Sequence, residues 1–144
     1  MKSKFILIAI VALTTLACKE EGCTDPYAFN YNSEAEKDDE SCTYNGRAVC
    51  WFTSVTATNC VNASIPEIDF YVDNVKVGAV SMTQFSPGEP TCGGTDGITA
   101  VVDIGSGASV SKLYSIKEGG TSNVLQSGTV LISKDVCHWI EFTY

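Results

Sequence analysis

The sequence predicts an all-β chain whose main body is a two-layer sandwich. Apolar and polar residues alternate in short segments such as 68–72 and 98–104, which is the pattern of a strand with one buried face. Turn-forming residues separate these segments, and no amphipathic helix of useful length is predicted. About seven short strands with polar turns favour an antiparallel, immunoglobulin-like β-sandwich over residues 45–144.

The predicted strands follow one another in a simple order. The segments rich in β-forming residues are 49–55, 68–72, 75–79, 98–104, 110–117, 124–132 and 137–144. Asp73 and Asn74 are expected to form a two-residue hairpin turn, because both residue types tolerate positive φ. The long loop 86–97, rich in proline and glycine, is a candidate contact surface because loops on a rigid scaffold often carry function.

The N-terminal residues predict export from the cytoplasm. Two lysines precede an apolar run over residues 5–16, which is shorter than the ~20 residues that a permanent transmembrane helix needs. The run ends in Thr-Leu-Ala-Cys at positions 15–18, which resembles the lipobox of bacterial lipoproteins. The resemblance implies that residues 1–17 are a cleaved signal peptide. It also implies that Cys18 becomes the lipid-bearing N-terminus, held in the bilayer by its acyl chains.

The residues after this cysteine carry a second signal. Lys19, Glu20 and Glu21 resemble the lysine-plus-acidic export signal of surface lipoproteins from the Bacteroidetes phylum. The resemblance implies an outer-membrane lipoprotein exposed at the cell surface, with residues 18–22 as its lipidated N-terminus and acidic tether. The alternative interpretation is a solvated acidic linker behind an ordinary signal peptide.

The cysteine count agrees with an oxidising compartment. When Cys18 is assigned to lipid, the seven cysteines leave an even set, which predicts three disulfides. The set consists of Cys23, Cys42, Cys50, Cys60, Cys92 and Cys137. Spacing alone leaves the connectivity open, and we favour the pairs Cys23–Cys42, Cys50–Cys60 and Cys92–Cys137.

The charge of the chain disfavours several partners. Without the signal peptide, 17 acidic residues face seven basic ones (nine less the two lysines of residues 1–17), a charge of −10. No basic patch is available for a phosphate backbone, so nucleic acid is not a predicted partner. Anionic lipid head groups are disfavoured for the same electrostatic reason.

Residues 23–44, here called the acidic module, are too few to build a core and are expected to be closed by a disulfide. They resemble a short Gly-Cys-Thr-Asp-Pro…Asp-Asp-x-Ser-Cys module of secreted and surface proteins in the same phylum. The matching residues are Gly22, Cys23, Thr24, Asp25, Pro26, Ala28, Asn30, Tyr31, Ala35, Asp38, Asp39, Ser41 and Cys42. Glu40 stands where that module usually has glycine. Tyr27, Phe29 and Tyr31 are expected to supply the small apolar contacts, and the resemblance implies no defined activity.

Five oxygen-bearing side chains make the acidic module a candidate calcium site. They are Asp25, Asn30, Asp38, Asp39 and Glu40. Carboxylate and amide oxygens are the ligands that this hard cation prefers, although the spacing is not that of an EF-hand loop. The alternative is a solvated, charge-rich spacer that lifts the domain off the lipid surface, and the sequence leaves both interpretations open.

Residues 45–144 carry a resemblance of their own. The layout of residues 70–78, residues 90–93 and the late Cys137 is similar to small β-modules in other lipoproteins of this phylum. The resemblance implies a β-sandwich whose function is largely uncharacterised.

No catalytic set is predicted. His138 is the only histidine, which argues against a multi-histidine zinc site, and no Gly-x-Ser-x-Gly motif is present. A packed or rim position is the favoured interpretation of His138, and a secreted hydrolase that uses it as a general base is the least favoured function. The chain is therefore expected not to be an enzyme.

Three aromatic residues point to binding instead. Trp51, Tyr71 and Trp139 lie on the opposite strand parity from their apolar neighbours, so a shared exposed face would form a platform for sugar rings or a protein partner. The alternative is that the tryptophans belong to the core. The anchor and the stapled sandwich together predict a surface binding or adhesion module for a glycan or an envelope protein. The competing prediction is a structural or accessory subunit of an envelope assembly, such as a nutrient-uptake complex.

Overall fold

The computed structural model of the protein describes residues 19–144. The predicted signal peptide and the predicted lipid-bearing Cys18 lie outside the described residues and stay predictions. Within residues 19–144, no helix combines the length and the apolar character that crossing a bilayer requires.

Two β-sheets packed face to face form the main domain, which confirms the all-β sandwich with its seven strands. The elements in chain order are β1 (Glu21–Gly22), β2 (Lys37–Asp38), β3 (Tyr44–Trp51), α1 (Ser54–Asn62), β4 (Glu67–Val72), β5 (Val75–Ser81), β6 (Ile98–Gly105), β7 (Ser109–Glu118), β8 (Val124–Ser133) and β9 (Cys137–Glu141). One sheet has four strands in the order β5-β4-β7-β8, and the other has three in the order β6-β3-β9. The strands β1 and β2 form a separate parallel pair.

The core lies between the two sheets, on the faces that the sequence alternation predicts. Ile68, Phe70 and Val72 of β4 are buried in one apolar cluster with Ala48 and Cys50 of β3. Burying an apolar side chain of this size stabilises the fold by about 1.5–3 kcal/mol. The period-two pattern therefore marks the inner face of β4 correctly, whereas on β5 Val75 is exposed and Val80 is buried, beside an irregularity in the β4–β5 register.

The three-stranded sheet departs from the predicted antiparallel arrangement. Its central strand β3 pairs antiparallel with β6 but parallel with β9, where Arg47 lies opposite Cys137 and Val49 lies opposite Trp139. The immunoglobulin-like pattern is therefore matched only approximately. Strand periodicity tells which side chains share a face but not which way the neighbouring strand runs, so the parallel pair had no signal in the sequence.

The helix α1 was not predicted, and the strand expected over residues 49–55 ends at Trp51. The sequence of α1, Ser-Val-Thr-Ala-Thr-Asn-Cys-Val-Asn, is rich in weak helix formers. Thr53, which precedes the first residue of the helix, makes no side-chain capping hydrogen bond. Thr56, Ala57 and Cys60 are buried against the sandwich. Tertiary packing, rather than local propensity, therefore stabilises this helix.

The turn between β4 and β5 confirms the predicted hairpin. Asp73 and Asn74 both adopt positive φ, at 47° and 65°. The Asp73 carboxylate also accepts hydrogen bonds from the backbone N–H of Leu113 at 3.1 Å and from Lys112 Nζ at 2.8 Å. The turn is thus fixed to the neighbouring strand β7.

Two of the three predicted disulfides are confirmed and the third is wrong. Cys23–Cys42 closes the acidic module, and Cys92–Cys137 links the loop after β5 to β9. Cys50 and Cys60 are free thiols that are fully buried in the core. A Cys50–Cys60 bridge presumes a simple turn after the first strand, whereas the helix α1 follows it and both thiols pack as small apolar groups in the core.

Candidate functional site

A long loop crosses the outer face of the three-stranded sheet. Residues 82–97, here called the strap, lead from β5 in one sheet to β6 in the other. Val49 and Trp51 are buried, with 1% and 6% of their surface exposed, although both lie outside the apolar cluster between the sheets. The strap therefore covers a second apolar strip on the face of β3 that points away from the core.

The strap is held by contacts spread along its length. Near its start, the backbone N–H of Ser86 donates to the Phe52 carbonyl at 3.0 Å. In the middle, the Pro90 carbonyl accepts from the indole N–H of Trp139 at 2.9 Å, and Cys92 forms the disulfide with Cys137. Further along, the N–H of Gly93 donates to the Thr99 hydroxyl at 2.8 Å. A methyl group at Gly97 would lie 2.7 Å from the Cys50 carbonyl and 2.8 Å from Val49, so glycine is needed there for the strap to approach the sheet. These contacts fix the strap against the three-stranded sheet along its length.

Trp139 lies at the edge of the strap and keeps 47% of its surface exposed. Its hydrogen bond to Pro90 satisfies the only polar atom of the indole, so the ring needs no further donor or acceptor partner. A half-exposed indole in a fixed orientation is a ready contact surface for an apolar face of a ligand.

A cleft of about 380 Å³ opens beside this tryptophan. It is lined by Asn45, Arg47, Thr91, Cys92, Asp135, Val136 and Cys137. Cys137 and Trp139 lie on the same face of β9 and two residues apart, a separation of about 7 Å. The cleft and the indole are therefore neighbours on one surface, with the Cys92–Cys137 disulfide beside them.

The cleft combines planar polar groups of different character. Asn45 supplies an amide, Arg47 a guanidinium that is exposed to solvent, and Asp135 an exposed carboxylate. These groups donate and accept hydrogen bonds in fixed planes, whereas the neighbouring indole offers dispersion contacts. Such a set suits a polyhydroxylated ring, whose C–H face packs on the indole and whose hydroxyls reach the polar side chains.

The predicted platform of Trp51, Tyr71 and Trp139 is wrong as a group of three. Tyr71 belongs to the four-stranded sheet, where Lys117 Nζ lies 4.2 Å from the centre of its ring, and the outer faces of the two sheets point in opposite directions. Trp51 is covered by the strap, and within residues 19–144 its indole nitrogen has no hydrogen-bond partner. Strand parity assigns a residue to a face but not to a sheet, so the sequence could not separate the three.

The predicted calcium site is not assembled. Within residues 19–144, no three acidic, histidine or cysteine side chains gather as a group that could hold a metal ion. Asp25, Asp38 and Asp39 accept hydrogen bonds from the backbone N–H of Tyr27, Glu40 and Ser41, two residues further along the chain in each case. The carboxylates therefore stabilise local turns and remain spread along the module.

Asn30 and Glu40, the other two predicted ligands, also have structural roles. The Asn30 amide donates to the Ser41 carbonyl at 2.8 Å and accepts from the Thr43 N–H at 2.7 Å, which ties the two halves of the acidic module together. Glu40 adopts a φ of 63°, a conformation that favours glycine. This positive φ explains why the module that residues 23–44 resemble usually has glycine where this chain has Glu40.

His138 is engaged by the backbone. Its Nε2 accepts a hydrogen bond from the Ser133 N–H at 3.0 Å, and the ring is half-buried between β8 and β9. Within residues 19–144, no hydrogen bond joins this imidazole to a serine hydroxyl or a carboxylate. A nitrogen whose lone pair is already used is poorly placed to act as a general base.

Sequence reasoning missed the polar side of the candidate site. Asn45 and Arg47 share the parity of Val49 on β3, so the sequence does indicate a polar start to this strand face. Their proximity to Cys137 follows only from the parallel pairing of β3 with β9. Asp135 lies at the turn that the sequence indicates before β9, but nothing in the sequence indicates that it shares a cleft with Arg47.

The chain matches no family model, no curated protein sequence and no solved structure in the three comparisons made. The resemblances of the N-terminal signal, the acidic module and the β-domain therefore stay proposals.

Proposed function

We propose that this protein is a lipid-anchored surface module that binds carbohydrate through Trp139 and the cleft beside it. The observation that carries the proposal is the fixed, half-exposed indole of Trp139, with its N–H held by Pro90, next to a cleft lined by Asn45, Arg47 and Asp135. Binding sites for small polar ligands combine one apolar surface with a few oriented polar groups, and this pair of features has that composition.

The N-terminal features support display outside the cytoplasm. The apolar run before Cys18 and the Lys19-Glu20-Glu21 sequence are the basis for an acylated cysteine and an outer-membrane, surface-exposed position. The Cys23–Cys42 and Cys92–Cys137 disulfides support an oxidising compartment. A tether of a few residues would hold the binding face close to the cell that carries it.

The polar groups favour binding over bond cleavage. The cleft contains a single carboxylate, Asp135, whereas glycoside hydrolysis usually needs two carboxyl groups across the scissile bond. The backbone hydrogen bond to His138 disfavours the hydrolase alternative as well. These features support the proposal of a binding module over that of an enzyme.

A glycan array with the Cys18→Ser chain tests the carbohydrate proposal. We expect selective binding of a glycan, and a loss of affinity of about tenfold or more in both Trp139→Ala and Arg47→Ala, since central contacts of this kind contribute above 1 kcal/mol. Leu131→Ala, which changes an exposed residue on the other sheet, is the matched control and should bind normally. Absence of any glycan ligand for the wild type, or equal affinity in all four chains, would reject carbohydrate as the ligand class.

The anchor is tested separately. Mass spectrometry of the mature protein should find acylated Cys18 at its N-terminus, and Cys18→Ala should release the chain from the membrane fraction. Surface protease treatment of intact cells should degrade the wild type. An unprocessed N-terminus or full protease resistance would contradict the proposed location without bearing on the cleft.

A further inference from the structure

The acidic module displays its aromatic side chains instead of burying them. Tyr27, Phe29 and Tyr31 are 82%, 77% and 46% exposed, so the prediction that they supply apolar contacts within the module is wrong. Cys23 and Ala28 are the buried residues of this segment. A module this small has room inside for a disulfide and a methyl group, and the rings remain on its surface.

The backbone that carries these rings is firmly held. The N–H of Phe29 donates to the Thr43 carbonyl at 2.8 Å, and the Asn30 amide bonds to Ser41 and to Thr43 on the same opposite segment. The Cys23–Cys42 disulfide closes the loop around them. Rigid aromatic side chains lose little conformational entropy on binding, which is why such residues dominate the energetics of protein interfaces.

The surroundings of the rings are strongly negative. The acidic module contains six acidic residues and one lysine, Lys37, which forms an ion pair with Glu21. Hydrogen bonds from Tyr44 and Tyr27 lower the pKa of Asp25, and hydrogen bonds from Ser41 lower the pKa of Asp39, so both carboxylates stay charged in mild acid. A partner of this surface therefore needs positive charge as well as groups that pack on aromatic rings.

We propose that Tyr27, Phe29 and Tyr31 form a docking surface for a protein segment rich in arginine and lysine. Guanidinium and ammonium groups lie favourably over aromatic faces and pair with neighbouring carboxylates, so one basic segment satisfies both features. This surface is on the acidic module and not at the Trp139 cleft. The inference thus goes beyond carbohydrate binding and fits an accessory role beside another envelope protein.

The negative charge of the acidic module also favours a basic polypeptide over a lipid surface as the partner. Four residues lie between Cys18 and Cys23, so the two cysteines are five residue steps and at most about 18 Å apart, and an acylated Cys18 would place the rings near the head groups. The negative charge of the module opposes contact with anionic lipids and attracts basic polypeptide instead. Membrane contact is the competing outcome that the experiment must distinguish.

Fluorescence anisotropy with the full mature chain carrying Cys18→Ser tests the proposal. The probe is a dye-labelled peptide of alternating arginine and serine, and its counterpart carries glutamate in place of arginine. We expect the basic peptide alone to bind, more weakly as NaCl rises from about 0.05 M to about 0.5 M, because salt screens the attraction. The double variant Tyr27→Ser/Phe29→Ser should lose about tenfold or more in affinity.

The matched control is Leu113→Ser/Leu131→Ser, which removes two exposed apolar side chains from the four-stranded sheet. It should bind the basic peptide as the wild type does, and circular dichroism should show both double variants folded. Equal affinity in wild type and Tyr27→Ser/Phe29→Ser, or no binding of the basic peptide, would overturn the proposal. Sedimentation with phosphatidylcholine vesicles, with and without phosphatidylglycerol, completes the test: vesicle binding that needs the two rings, without peptide binding, would assign the surface to the membrane.

The two proposals fail independently. Trp139→Ala should weaken glycan binding by about tenfold or more and leave peptide affinity unchanged, whereas Tyr27→Ser/Phe29→Ser should weaken peptide binding and leave glycan affinity unchanged. In cells, a photo-crosslinking residue at position 29 should label a protein at a segment rich in lysine or arginine. Label on an acidic or wholly apolar segment would contradict the inferred chemistry.

Discussion

The carboxylate of Asp69 lies 2.7 Å from Lys76 Nζ on the outer face of the four-stranded sheet, with the Asp69 side chain only 2% exposed and the Lys76 side chain 46% exposed. The backbone N–H of Gly120 donates to the second carboxylate oxygen at 3.1 Å. A buried charge on the outside of a sheet is stable only when it is paired in this way. The alternation over residues 68–72 places Asp69 on the outer face of its strand but gives no sign that its side chain is buried there.

This ion pair predicts a dependence of stability on pH. Burial acts to raise the pKa of Asp69, but the hydrogen bonds from Lys76 and Gly120 and the charges of Lys76 and Lys117 outweigh it, so the pKa is lowered. The stabilisation is present above the unfolded value of about 3.9 and is lost as the pH falls through the lower folded value. Asp69→Asn should reduce the free energy of unfolding by about 1–3 kcal/mol at neutral pH, and should flatten its decline in acid.

Urea denaturation at several pH values measures both effects. Asp103→Asn, which changes an exposed aspartate on β6, is the control and should leave the stability near that of the wild type. If Asp69→Asn and Asp103→Asn have the same small effect, the buried pair does not stabilise the fold.

The strap is expected to depend on its disulfide. Cys92→Ser/Cys137→Ser removes a link between residues that are 45 positions apart, and the free energy of unfolding should fall by about 2–4 kcal/mol. Without this link the strap should lift from Trp51, so tryptophan emission should shift to longer wavelength and acrylamide should quench it more strongly. Cys23→Ser/Cys42→Ser is the matched control, because that disulfide lies in the acidic module. A shift of equal size in both double variants would contradict a local role of the strap.

Glu40→Gly should stabilise the acidic module. The residue has a φ of 63°, where a side chain costs about 1–2 kcal/mol and glycine costs little. The net stabilisation of the module should be about 1 kcal/mol, because glycine also increases the conformational freedom of the unfolded chain, which offsets part of the relieved strain. Hydrogen exchange of the amides in residues 38–43 would report it, and Glu40→Gln separates the removal of charge from the relief of backbone strain. Equal protection in the two variants would assign the effect to charge.

The buried thiols should be silent in the native protein. Burial raises the pKa of Cys50 to about 12 and also raises the pKa of Cys60, so neither forms the reactive thiolate near neutral pH. In the Cys18→Ser chain, a thiol reagent should label no site in native buffer and both residues in denaturant. Absence of label in denaturant would instead support the third disulfide that the cysteine count predicted.

Local patterns predicted the features that depend on neighbours in sequence. The alternation over residues 68–72 correctly identified an inner face, and Asp73-Asn74 correctly identified a tight turn. The helix α1 escaped because its residues are individually poor helix formers and its stability comes from contacts with strands distant in sequence. The same lack of a local signal hid the free state of Cys50.

The sequence by itself determined the β-rich class and the inner faces of β4 and β6, because side chains on a strand alternate with a period of two whatever the strand's neighbours are. The tertiary structure alone decided that β9 runs parallel to β3, that Trp51 is buried, and that Arg47 and Asp135 line one cleft with Cys137. Those relations depend on contacts between segments tens of residues apart. Periodicity within one strand carries no information about such contacts.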